Sequence, residues 1–162
     1  MAVDISSQTG EQYYSGSWTD IQDILRVLNI GEGKLAKVTQ ELVNNYQEMV
    51  DREIDEILGE LYWTPLRSMN EVQPDGTTKR VFPGNVRRAS RYWVAGFLLL
   101  NEFQNLAQNV TDQAQSYVDD ARREFYTMKR PEHRLLGQER KSNISRTLPS
   151  NMQPPQLPEA NF

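Results

Sequence analysis

The chain has no cysteine and a single histidine, His133. Without thiols there is no disulfide framework, no thiolate nucleophile and no cysteine-held zinc or iron–sulfur site. One imidazole likewise speaks against a His-dependent triad or metal cluster. Long apolar runs are missing too: the longest, Val94 to Leu100, contains Gly96 and falls far short of the roughly 20 residues of a membrane span. The opening Met1-Ala2-Val3-Asp4-Ile5-Ser6 shows no basic segment followed by an apolar one, so no secretory route is expected. The glycosylation sequons Asn109-Val110-Thr111 and Asn143-Ile144-Ser145 are therefore read as chance matches. Apolar residues make up only 38% and the mean hydropathy is -0.69, so part of the chain is expected to stay outside the core. What remains, 162 residues and 18.8 kDa, suffices for one domain with a hydrophobic core plus tails.

Charge is present and polarised. The formal net charge is -4, with a pI near 5.1, which argues against general affinity for nucleic acid because nonspecific binding depends on Lys and Arg displacing phosphate counterions. Residues 1–33 hold five acids and one base, whereas 129–162 hold three acids and six bases. Ends of opposite sign favour head-to-tail contacts between copies, although a charged tail is also simply well solvated.

Residues 1–17, rich in Ser, Gln, Gly and Tyr without periodicity, read as an N-terminal arm. Thr19 and Gln22 have capping-box spacing for a short helix through Leu28, with Ile21, Ile24, Leu25 and Leu28 on one side. From Lys34 to about Leu61 apolar residues recur at threes and fours (Leu35, Val38, Leu42, Tyr46, Met49, Val50, Ile54, Ile57, Leu58 and Leu61), which predicts one long amphipathic helix. Pro65, Pro74 and Pro83 punctuate 62–84, where Asp75-Gly76 suits the turn of a small hairpin. A second long helix, expected to be the most buried, is predicted from Asn85 to about Gln108, with Val86, Ala89, Trp93, Gly96, Phe97, Leu100, Phe103 and Leu106 on one face. Thr111 is expected to cap a last helix through Met128, turning Ala114, Tyr117, Val118, Ala121, Phe125 and Met128 inward. Five of the eight prolines fall in 129–162, so this stretch reads as an extended C-terminal tail whose loss leaves the bundle folded. Its irregularly spaced Leu135, Leu136, Ile144, Leu148, Met152, Leu157 and Phe162 suit a strap lying on another surface. The fold class expected is all-α: about four helices in 18–128, a hairpin-like loop between the two long ones, and extended arms at both ends.

Candidate chemistry is sparse. Asp51, Glu53, Asp55, Glu56 and Glu60 form the densest acidic cluster, and the pairs Asp51/Asp55 and Glu56/Glu60 are helix neighbours that could hold a hard cation or act as an acid/base pair. No His completes a carboxylate–histidine motif and there is no glycine-rich phosphate loop, so a solvated face is the expectation, with no catalytic residue, cofactor or metal. Arg87, Arg88 and Arg91 open the central helix, while Arg122, Arg123, Lys129, Arg130 and Arg134 surround the end of the last one. They are read as partners for the acidic helix of the same or a neighbouring subunit rather than as a nucleic-acid surface, and Tyr62, Trp63 and Pro65 as a packed corner.

A capped short helix, then an acidic helix ending Asp51-Arg52-Glu53-Ile54-Asp55-Glu56-Ile57-Leu58-Gly59-Glu60-Leu61-Tyr62-Trp63-Thr64-Pro65-Leu66, then a proline-bounded loop, then Pro83-Gly84-Asn85-Val86-Arg87-Arg88-Ala89-Ser90 opening an apolar helix, resembles the head-tail connector proteins of tailed bacteriophages. The likeness spans about residues 18–128 and is one of order and texture. It implies a non-enzymatic helical bundle assembled as a homo-oligomeric, dodecameric ring in the virion neck, made in the host bacterial cytoplasm. The ring would dock beneath the portal protein, offer its other face to tail or neck proteins, and let genomic DNA pass through its centre, with no membrane involved. Arg87, Arg88, Arg91, Arg130 and Arg134, with Leu135, Leu136, Leu148, Leu157 and Phe162 of the strap, are the candidate partner-binding residues. A tail-completion or other ring-forming tail protein is the alternative within the same class, and a helical nucleic-acid-binding module the alternative from another.

Overall fold

The computed structural model describes residues 12–130 and 132–141. It is mainly α-helical rather than all-α: the described residues form five helices where about four were expected, and the expected hairpin-like loop is a two-stranded antiparallel sheet. The order is α1 (Trp18–Val27), α2 (Glu32–Leu35), α3 (Gln40–Leu58), β1 (Met69–Val72), β2 (Thr78–Val81), α4 (Gly84–Glu102) and α5 (Gln108–Met128).

Local chemistry explains each boundary. Ser17, not Thr19, caps α1, and the Asp20 carboxylate reaches back to accept from the Ser17 N–H at 2.9 Å. Ile21 and Leu25 are fully buried, with Ile24 and Leu28 packed beside them, as their spacing requires. Asn29 (φ 55°) and Gly31 (φ 99°) then turn the chain through the left-handed region. The long helix expected from Lys34 is two helices, because the Thr39 hydroxyl accepts from the Leu42 N–H at 3.2 Å and starts α3 afresh. Inside α3 the buried face is Val43, Tyr46, Gln47, Val50, Ile54 and Leu58.

The hairpin pairs Met69 with Val81 and Val72 with Thr78. In its turn Gly76 alone takes positive φ (87°), while the Asp75 carboxylate accepts from the Thr77 N–H at 2.9 Å. Pro83 precedes α4, whose Trp93, Val94, Ala95, Leu98 and Leu99 are wholly buried among α1, α3 and α5. This helix stops at Glu102, short of Gln108, since Phe103 is extended and Asn105 is left-handed at φ 60°. Thr111 lies inside α5 rather than at its cap, with its hydroxyl turned back to the Ala107 carbonyl at 3.3 Å.

Both expected arms contribute to the body. Tyr14 and Ser15 are buried, the Tyr14 ring standing edge-on to Phe82 at 4.8 Å between centroids. Residues 12–17 therefore belong to the core-forming unit, and the body begins ahead of α1. After α5, residues 132–141 fold back onto the Tyr62 corner. Leu135 is buried, the Lys141 N–H donates to the Leu61 carbonyl at 2.7 Å, the Trp63 N–H donates to the Glu139 carbonyl at 3.2 Å, and Tyr62 and Arg140 form a β-bridge. A phenol buried at a helix end needs partners, and the Tyr62 hydroxyl finds one in the Leu135 N–H at 3.1 Å. Residues 1–11, Pro131 and 142–162, with Ile144, Leu148, Met152, Leu157 and Phe162, lie outside the described residues. The packing of 132–141 on Tyr62 runs against the expectation that loss of 129–162 spares the fold: a chain ending at Met128 is expected to melt at least about 5 °C below one ending at Lys141, since Tyr62 loses its cover. Equal melting curves by circular dichroism would show that 132–141 adds nothing to the fold.

Candidate partner-binding surface

The arginines singled out on α4 act as rivets between elements. Arg87 pairs with Glu71 of β1 at 3.8 Å, Arg88 with Glu124 of α5 at 3.1 Å, and Arg91 with Asp20 of α1 at 3.2 Å. Arg91 also donates from Nε to the Ser15 carbonyl at 2.8 Å, tying the N-terminal segment down. None of these three pairs uses the acidic helix α3, which the sequence suggests as the partner of these arginines in the same or a neighbouring subunit. The partners of α3 come from α5 and the residue just after it: Arg122 reaches Glu53 at 3.5 Å and Lys129 reaches Glu60 at 2.9 Å. Being partly exposed, each such pair contributes only about 0–1 kcal/mol, so together they set geometry more than stability.

Around the α4 rivets lies a cavity of about 310 Å³ lined by Asp20, Asp23, Ile24, Gly84, Arg87, Arg88, Arg91 and Tyr92. A neighbouring hollow of about 270 Å³ is shared by Arg88, Ala89, Tyr92, Tyr117, Asp120, Ala121 and Glu124. Tyr92 and Tyr117 pack edge to face at 4.7 Å between centroids and form the aromatic divide. Because each α4 guanidinium here is already matched by a carboxylate, the groove offers little net field to a phosphate chain.

The second cluster of candidate residues gathers at the far end of α3. Arg130, Arg134 and Leu136 are exposed, Leu136 at 74%, whereas Leu135, also a candidate, is a core residue. Adjacent aromatic residues divide their roles here: Tyr62 is fully buried and Trp63 is 49% exposed. The Lys141 Nζ stands 4.9 Å over the Trp63 ring, and the Lys129 Nζ 5.2 Å over Tyr126, itself 57% exposed. The period of the last helix leaves Tyr126 off its inward face, but no sequence signal separates Trp63 from Tyr62, with which it reads as a packed corner. Leu148, Leu157 and Phe162, the remaining candidates, fall outside the described residues.

Comparison with protein families, curated proteins and solved structures finds no match. The functional reading therefore rests on the chain itself.

The acidic face of α3 is less solvated than its composition suggests. Asp51 accepts from the Tyr14 N–H at 3.1 Å, and Asp55 accepts from the Tyr14 hydroxyl, which in turn accepts from the Leu66 N–H at 2.9 Å. Burial, with added repulsion from Asp55 and Glu48, pushes the Asp51 carboxyl up to about 7, and burial raises Asp55 as well. Beside them Gln47, a fully buried amide that apolar periodicity passes over, donates to the Ser15 hydroxyl at 2.8 Å and the Gly16 carbonyl at 2.9 Å. These groups clamp the N-terminal segment, a structural task. Among the described residues no group of three or more His, Cys, Asp or Glu side chains could hold a metal ion.

A folded-state carboxyl held above its unfolded value opposes folding when ionised, at roughly 1.4 kcal/mol per pH unit of difference. That opposition is fully present above pH 7 and fades as pH falls toward the ordinary Asp range. Asp51→Asn, which keeps an acceptor for Tyr14, is expected to raise the melting temperature at pH 8 and to flatten its rise between pH 8 and pH 5. A variant less stable than the parent at pH 8 would contradict this assignment.

Proposed function

We propose that the chain is a non-catalytic structural subunit of a phage virion neck, forming a dodecameric head-to-tail adaptor between portal and tail. The observation that carries this reading is the order of elements around the Tyr62–Leu66 corner. An acidic helix runs into Tyr-Trp-Thr-Pro-Leu, a hairpin follows, and a proline opens the apolar helix, in the arrangement that resembles head-tail connectors. Net charge supports it: an acidic subunit suits a channel through which DNA must slide, because a lumen that repels phosphate does not hold it. The matched arginines on α4 favour this reading over a nucleic-acid-binding module. No helix among the described residues is long and apolar enough to cross a membrane.

The test is sedimentation of the purified chain with portal rings, with and without DNA, over a range of salt. Co-sedimentation at fixed stoichiometry, independent of DNA, is the expected result. Failure to bind portal, with DNA affinity that falls steeply as salt rises, would replace the adaptor by the nucleic-acid-binding module. Failure to bind either, with capture by tail-tube rings, would move the protein to the tail side.

A further inference from the structure

Two surface features on opposite halves of α3 have complementary chemistry. On its N-terminal half an open groove of about 630 Å³ is lined by Tyr13, Gln40, Glu41, Asn44, Asn45 and Glu48 among others. Residues 40–50 hold two acids, Glu41 and Glu48, and no base. Neither Glu41 nor Glu48 has an ion-pair partner among the described residues, although Glu48 accepts from the Tyr13 hydroxyl at 3.4 Å. At the other end of the helix, residues 129–141 hold five bases against two acids. There Arg130 and Arg134 make no ion pair with any described residue, and Leu136 and Trp63 expose apolar surface beside them.

We propose that neighbouring copies join head to tail by seating the Arg130, Arg134 and Leu136 corner of one copy in the Glu41 and Glu48 groove of the next. The inference rests on the ring reading above and names the contact that would build the ring. Unpaired carboxylates in a concavity and unpaired guanidiniums beside exposed Leu136 supply charge complementarity with an apolar centre, the ingredients that fix register between partners. Because groove and corner are different patches, the contact is heterologous, and it closes into a ring or runs on as a filament according to the rotation per copy.

A chain without native cysteine makes the test direct. Full-length Asn45→Cys and Leu136→Cys proteins, each altered at an exposed position and retaining every charge, are mixed under a mild oxidant. Disulfide dimers of the mixed pair are expected several-fold above the dimers of either variant alone, and to fall at about 1 M salt, where the screening length shrinks to roughly 3 Å. Adding Glu48→Lys to the first protein should abolish the mixed dimer, and adding Arg134→Glu to the second should restore it. A mixed yield no higher than the self-dimers overturns the contact. So does loss of DNA binding by Arg134→Glu without any mixed dimer, which would assign the corner to nucleic acid. Native rings that lack the mixed cross-link leave the neck reading standing and remove only this contact. The cross-link in open-ended chains keeps the contact and counts against the ring.

Discussion

A protein carrying Leu99→Asp is expected to lose its helical circular dichroism and its cooperative melt. Leu99 is fully buried in α4, flanked by Leu98 and close in sequence to Val94 and Ala95, all with no exposed surface. An unpaired carboxylate placed there costs several kcal/mol even after relaxation, or else must bind a proton far above its ordinary range. Domains of this size have only about 5–15 kcal/mol in hand, so one such group removes most of it. Leu99→Met, which conserves volume and polarity, is expected to cost less than about 1.5 kcal/mol and serves as the control. A soluble, fully helical Leu99→Asp protein would mean that α4 is not the centre of the core.

The second large effect is at Gly96, where α4 and α5 cross. A Cβ at this position would stand 2.5 Å from the Ala114 carbonyl oxygen, 3.0 Å from Val118 Cγ2 and 3.1 Å from Tyr117 Cβ. The first of these is backbone of the facing helix and cannot rotate away. Gly96→Val should therefore force α5 outward, loosening the Trp93–Phe125 contact, whose centroids lie 5.8 Å apart. Overpacking of this kind costs about 3 kcal/mol, corresponding to a fall of roughly 10 °C in melting temperature. Gly96→Ala should lie between the two. A Gly96→Val melting curve that overlays the parent would show that the helices do not approach as closely as their backbones indicate.

The parts legible in the sequence were those governed by apolar period. Ile21 and Leu25, then Tyr46, Val50, Ile54 and Leu58 of α3, Trp93 and Phe125 fall inward as threes and fours require, whereas Met49, expected on the same α3 face, is 41% exposed. The hairpin was legible from Asp75-Gly76 and its flanking residues. Period alone could not show the break at Thr39, because Leu35, Val38 and Leu42 keep the same spacing across it; the interruption lies in a hydroxyl that caps a new helix. Ser17 with Asp20 competed with Thr19 and Gln22 for the first cap, and the acid at the third position won by reaching the free N–H. Tyr14 and Gln47 escaped notice, and Asp51 was read as part of a solvated acidic face, because a scan for apolar residues assigns polar ones to solvent, whereas these three satisfy each other's neighbours in a buried seam.

The candidate surface was less legible still. Arg87, Arg88 and Arg91 lie within five residues of one another, yet their carboxylate partners come from a strand, α5 and α1 respectively. Such pairing depends on tertiary placement, which charge counting along the chain does not contain. Tyr62 and Trp63 show the same limit at single-residue scale, one buried to brace the returning segment and the other exposed beside Lys141.

The measurement that bears most directly on the neck adaptor is mass photometry of the purified chain, alone and mixed with portal rings. The expected result is a ring-sized particle, or a monomer that adds to the portal ring in stoichiometric number. A monomer that leaves the mass of the portal ring unchanged would contradict the account.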